Sequence, residues 1–160
     1  MKITILCVGG LKENYLKQAA AEYLKRIIPY SSIDIVEIPE ERLREGAGNN
    51  AYEAMVLASE SDRILGKISD KDYVITLEIS GKQLSSTEFS ELLSDKMSRG
   101  NSRFIFIIGG SLGLHKTISE RANYKLSFSK MTFPHQLMRV NLLEQIYRAF
   151  RIMKGEPYHK

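Results

Sequence analysis

At 160 residues, 43% apolar and 26% charged, the chain is long enough for one well-buried core and too short for two ordinary domains, so a single domain over residues 1–160 is expected. A single cysteine, Cys7, excludes an internal disulfide framework, and no stretch approaches the roughly 20 apolar residues of a membrane span. The apolar start has only Lys2 in front and ends at Gly9 and Gly10, which does not read as a signal peptide, so a cytoplasmic protein is expected.

The net charge of +4 is unevenly spread: residues 31–80 hold eleven acids against five bases, and residues 121–160 hold eight bases against Glu144 and Glu156. A basic C-terminal quarter suits a polyanion, because Lys and Arg contacts to phosphate dominate nucleic-acid affinity. An ordinary solvated face carries the same charges.

Lys2–Val8 reads as a short buried strand rich in β-branched residues. Tyr15, Leu16, Ala19, Ala20, Tyr23, Leu24 and Ile27 then recur on one helical face, and Pro29 stops the pattern. Ser32–Ile38 alternates as a second strand ended by Pro39, and the charged segment 40–50 reads as an exposed loop. A helix is expected over residues 51–65 and a third strand over 73–79. Ser85 with Glu88 three positions on forms a capping box for a helix to about Ser98, with Gly100 as its stop. Arg103–Ile108 is a nearly continuous apolar strand, as expected inside a parallel sheet. A short helix near 117–122, a short strand near 125–128 and a long helix over 134–153 complete the chain. Strands alternating with helices predict an α/β layer fold with a mostly parallel central sheet. Apolar residues cover most of the last helix, so either it is central or its second apolar face packs on another subunit; the subunit contact is the expectation.

Three segments carry candidate chemistry. IIGGSLGL, residues 107–114, is a strand followed by a glycine-rich turn, where the missing Cβ atoms let a ligand approach the backbone. It matches neither a dinucleotide fingerprint nor a phosphate loop, and a tight strand-to-helix turn accounts for the same residues. LSFSKMTFPHQ, residues 126–136, mixes hydroxyls with apolar side chains around Lys130, as a loop around an adenine ring and its ribose would; a surface connection ending at a helix start is the alternative. The tail GEPYHK places Tyr158, His159 and Lys160 together, an aromatic face, a group titrating near neutrality and a cation, although tails of this kind commonly fray. His135 beside Pro134 is expected to cap or pack, His115 is as compatible with exposure as with function, and Glu144 reads as a buried hydrogen-bonding group. With Cys7, His115, His135 and His159 as the only cysteine and histidines, no metal is expected.

IIGGSLGL together with LSFSKMTFPHQLMRVNLLEQIYRAFRIMKGEPYHK closely resembles the RlmH family, bacterial 23S rRNA (pseudouridine-1915-N3)-methyltransferases of the SPOUT superfamily, and MKITILCVGGLKENYL and VITLEISGK fit the same family. The resemblance implies a SPOUT-type α/β knot with a C-terminal trefoil knot. It implies a homodimer, S-adenosyl-L-methionine as methyl donor, and N3 of a pseudouridine in helix 69 of the rRNA as acceptor; because 160 residues offer little surface for sequence readout, an assembled particle such as the 70S ribosome is expected to supply much of the recognition. Carried over by motif, the cofactor contacts fall on Leu77, Gly109, Phe128, Ser129, Lys130, Met131, Thr132 and Phe133. For the proton, His159 is the expected base, Tyr158 its orienting neighbour, and Lys160 or Arg139 the group near phosphate or a uracil carbonyl. A shared dimer face would let each tail complete the neighbour's pocket. Two other functions fit the residues: the same fold acting on another RNA such as tRNA, and a non-catalytic ribosome-associated RNA-binding module.

Overall fold

The structure is a computed structural model that describes residues 1–41 and 50–158. Most of the expected exposed loop, and both His159 and Lys160, lie outside the described residues.

Among the described residues ten elements alternate: β1 (Lys2–Val8), α1 (Asn14–Ile27), β2 (Ser32–Ile38), α2 (Asn50–Leu65), β3 (Tyr73–Gln83), α3 (Ser86–Ser98), β4 (Arg103–Ile108), α4 (Lys116–Arg121), β5 (Tyr124–Ser127) and α5 (His135–Met153). The strands form one sheet in the order β2-β1-β4-β3-β5, and every pairing is parallel. The expected elements all form, with ends moved by a residue or two except at β3. Pure parallel pairing requires that both faces be covered, which is why β4 is apolar at every position after Arg103.

The alternation of side chains along the strands divides the core in two. Ile3, Ile5, Phe104, Phe106 and Ile75 point to a face covered by α1, α3 and α5, where Phe89, Leu93, Leu142, Ile146 and Phe150 complete the packing. Leu6, Val8, Ile105, Ile107 and Val74 point to the other, closed by Ile64 of α2 and Ile118 of α4. The wide apolar surface of α5 finds its explanation here: the helix lies between α1 and α3 on the sheet, so three sides of it meet this same chain. The last helix is central, and its apolar girth does not by itself require a second subunit.

The α3 start has the expected capping box: Glu88 N–H donates to Ser85 Oγ at 3.1 Å and Ser85 N–H to Glu88 Oε2 at 2.7 Å. Such reciprocal caps satisfy two backbone donors that a helix start otherwise leaves open. Among the described residues, no helix is long and apolar enough to cross a membrane.

Strand β3 departs most from expectation. Leu77 pairs with Leu126 of β5, the chain then bulges, and Lys82 pairs with the same Leu126. Gly81 makes this return possible, since a Cβ there would stand 2.7 Å from the Lys125 carbonyl oxygen. The bulge throws Glu78, Ile79 and Ser80 outward at the carboxyl end of the sheet.

Candidate active site

All five strands run the same way, so their carboxyl ends share one edge, and ligands of open α/β sheets bind there. Beyond the ends of β3, β4 and β5 lies a cavity of about 1010 Å³. Three stretches far apart in sequence form it: residues 77–80 of the bulge, 108–114 after β4, and 126–135 between β5 and α5. Leu77, Gly109, Phe128, Ser129, Met131, Thr132 and Phe133 all line it, so seven of the eight expected cofactor contacts are brought together. Lys130 is not among the lining residues and is exposed.

The glycine turn is built for its own closure. Gly113 N–H donates to the Gly110 carbonyl at 3.1 Å, and Gly113 takes φ +80°. A Cβ on Gly109 would lie 2.5 Å from the Gly113 carbonyl oxygen, so this position needs glycine because backbone crosses backbone within the turn. The turn is tight, and the same residues line the cavity, where the ligand reading would place its ligand. The hydroxyls after β5 behave similarly. Ser127 Oγ donates to the Ser129 carbonyl at 3.0 Å, and Ser129 Oγ accepts from Met131 N–H at 2.9 Å. Of the three hydroxyls in this stretch, those of Ser127 and Ser129 thus shape the loop, while Thr132 stays exposed on the lining.

Two titratable lining residues were not among the expected contacts. His135 was read as a cap or packing residue; it begins α5, makes no capping bond and lines the cavity. Glu78 lines it too, accepting from Thr76 Oγ1 at 2.6 Å and Ser119 Oγ at 3.0 Å. His115, by contrast, caps α4 through its ring nitrogen, which accepts from Thr117 N–H at 3.3 Å.

A second cavity, of about 480 Å³, shares Leu126, Phe128 and Phe133 with the first and extends along α3 and α5 to Ser86, Asn141, Glu144 and Gln145. Glu144 is a hydrogen-bonding group as expected, though half-buried: it accepts from Arg148 at 2.6 Å, Gln145 at 2.6 Å and the Tyr158 hydroxyl at 3.1 Å. Tyr158 also packs edge-on against Tyr147 and beneath the Arg148 guanidinium, 4.7 Å from its ring centre. Burial, then hydrogen bonding to Tyr23 and Glu144, pushes the Tyr158 phenol well above its ordinary range. It therefore stays protonated and serves as an anchor for the tail beside the second cavity.

Arg139 is corrected by the structure. It is 3% exposed, and its guanidinium donates to Glu37 Oε1 at 2.6 Å and to the Gly9 carbonyl at 2.8 Å, tying α5 to the ends of β1 and β2. Arg139 lines neither cavity. The basic C-terminal quarter is likewise less free than its charge count suggests. Arg148 pairs with Glu144, Arg151 with Glu156, and Arg121 donates to the carbonyls of Ser69 and Asp72. Lys125, Lys130 and Lys154 are exposed.

The solved structure of a probable methylase family protein from Haemophilus influenzae Rd KW20 is similar over 99% of this chain and 70% of its own, with a TM-score of 0.55 and 12% sequence identity, a likeness of fold. A family model described as "Predicted SPOUT methyltransferase" matches residues 1–159. With that match over almost the entire length and a large cavity at the carboxyl edge of its parallel sheet, the chain belongs to the SPOUT methyltransferase family.

Proposed function

We propose that the chain transfers a methyl group from S-adenosyl-L-methionine to N3 of a pseudouridine in 23S rRNA, position 1915 of helix 69, on the assembled ribosome. The observation that carries the reading is the convergence of Leu77, Gly109 and the 128–133 loop on one cavity large enough for a nucleoside with an amino-acid arm. The donor fits this lining: Phe128, Leu126 and Leu114 offer faces for an adenine ring, and backbone groups of the glycine turn offer hydrogen bonds. When bound, S-adenosyl-L-methionine supplies an electrophilic sulfonium methyl group.

The chain's own task is to hold donor and acceptor in line and to accept one proton, and positioning supplies a large share of such rate enhancement. Phe128 and Phe133 wall both cavities, so a base in the smaller one would lie against the donor in the larger. Tyr158 fixes the tail through Glu144 at the mouth of the smaller cavity. In this reading His159 is the base, on the strength of the tail's sequence. Methyl transfer of this type needs no metal.

The reading includes a homodimer and the knotted C-terminus of the RlmH resemblance. Ile79, Met131 and Phe133 are apolar and exposed on the cavity lining, a rim that a second copy would cover.

The test is methyl transfer from labelled donor to intact 70S ribosomes, separated subunits, free 23S rRNA and tRNA in parallel, with the product nucleoside identified by mass spectrometry. N3-methylpseudouridine formed on ribosomes is expected. Label appearing in tRNA alone assigns another RNA, and absence of both transfer and donor binding leaves a non-catalytic binding module.

A further inference from the structure

The larger cavity has an electrical asymmetry. Among its described lining residues Glu78 is the one acid, and none is a lysine or arginine. Its carboxylate is fixed at both oxygens, by Thr76 Oγ1 on one and Ser119 Oγ on the other. Thr76 is fully buried within β3 and Ser119 belongs to α4, so sheet and helix together hold the carboxylate, and the bulge before Gly81 places Glu78 on the cavity lining. A single fixed charge in a cleft with apolar walls produces a focused field, which favours ligands of the opposite sign.

We propose that Glu78 is the specificity-determining residue that lets this site prefer the positively charged methyl donor over its demethylated product. The inference rests on the cofactor reading above. S-adenosyl-L-methionine and S-adenosyl-L-homocysteine share adenine, ribose and the amino-acid arm; they differ in the methyl group and in one unit of positive charge on sulfur. Loops shaped by Gly109 and Ser129 recognise the shared parts and cannot separate the two. A fixed carboxylate can. Once the methyl group has moved to the acceptor and the sulfur has become a neutral thioether, the Glu78 field no longer holds the ligand, which favours its departure.

The test is calorimetric titration of the full chain with each compound, for the wild type, Glu78→Gln, Glu78→Asp and Ser119→Ala. Glu78→Gln is expected to weaken binding of the donor by about tenfold and of the product by less than about threefold. Glu78→Asp, which retains the charge, should restore much of the preference. Ser119→Ala keeps the charge but frees one oxygen and should reduce the preference partly, which keeps the test open if Glu78→Gln does not fold. Equal weakening of both ligands overturns the inference, because Glu78 would then contact a group they share; so does an unchanged donor affinity. Absence of binding of either compound to the wild type refutes the cofactor reading instead, a result separable from both.

Discussion

Replacing Gly109 with alanine tests whether the glycine turn holds the cofactor. The new Cβ would sit 2.5 Å from the Gly113 carbonyl oxygen and 2.7 Å from its carbonyl carbon, both backbone atoms. Ordinary C···O approach begins near ~3.3 Å, so the turn must open by roughly 0.8 Å. Nothing nearby is a flexible side-chain end except Leu114 Cδ2 at 3.1 Å, so the strain cannot be relieved by a rotamer change. Overpacking of this kind costs about 1–3 kcal/mol. If that cost falls on the conformation that receives the cofactor, affinity drops by roughly 5- to 150-fold. Calorimetric titration of S-adenosyl-L-methionine measures the loss, and thermal unfolding measures what leaks into global stability. Gly100→Ala is the control: Gly100 takes φ +92° with open space around it, at the far end of α3, so alanine there strains the backbone without touching the cavity. It should lower the melting temperature by a few degrees, about 1 kcal/mol of αL strain in a chain of this size, and leave titration unchanged. Wild-type affinity in a folded Gly109→Ala protein would refute the claim that turn geometry sets the site.

Tyr158→Phe removes the hydroxyl that donates to Glu144 while keeping the ring edge-on against Tyr147; kcat should fall, by up to about a hundredfold if the tail is misplaced, with donor affinity unchanged because Tyr158 does not line the larger cavity. Asp72 is buried, which opposes its ionisation, yet the Ser69 N–H and the Arg103 guanidinium hold its carboxyl below the usual range. A depressed folded value gives stability that is present above the unfolded value near ~3.9 and is lost as pH falls through the folded one. Asp72→Asn should therefore melt lower than the wild type at pH 7, with the gap narrowing below about pH 4 in a calorimetric pH series. Burial pushes the Cys7 thiol up to about 11, against the opposing influence of Arg139. Its alkylation at pH 8 should follow unfolding, so labelling in native buffer at the rate of a denatured control would contradict its buried setting.

What the sequence makes legible is local or periodic. The apolar run of β4, the capping pair Ser85 and Glu88, and the helical period of α1 each depend on neighbours within a few positions, and each forms as read. The stretches that line the larger cavity were singled out together through resemblance and not through periodicity, since residues 126–136 have no period. Features set by distant partners stayed hidden. Arg139 looked like a cation near the last helix start, but Glu37, 102 positions away, claims it. Glu78 looked like one more strand residue until Ser119, 41 positions on, fixed its second oxygen. Gly81 was the one available signal for the bulge, because an isolated glycine inside a strand pattern marks a close backbone approach.

The position of the cavity follows from how the chain enters and leaves β4. From β3 the chain reaches β4 through α3 on one face of the sheet, and from β4 it returns past β3 to β5 through α4 on the other. Two connections that depart on opposite faces cannot fill the space above the strand ends they leave, and a crevice opens there. The bulge of β3 and the loop before α5 then wall that crevice from either side, with Glu78 on one and Phe128 on the other. Because α5 is wedged between α1 and α3, the loop that precedes it has a rigid anchor, and Tyr158 returns the chain after α5 to the same helix through Glu144. Each wall of the candidate site thus hangs from a buried element, so side-chain changes at the rim should alter binding while leaving the fold intact.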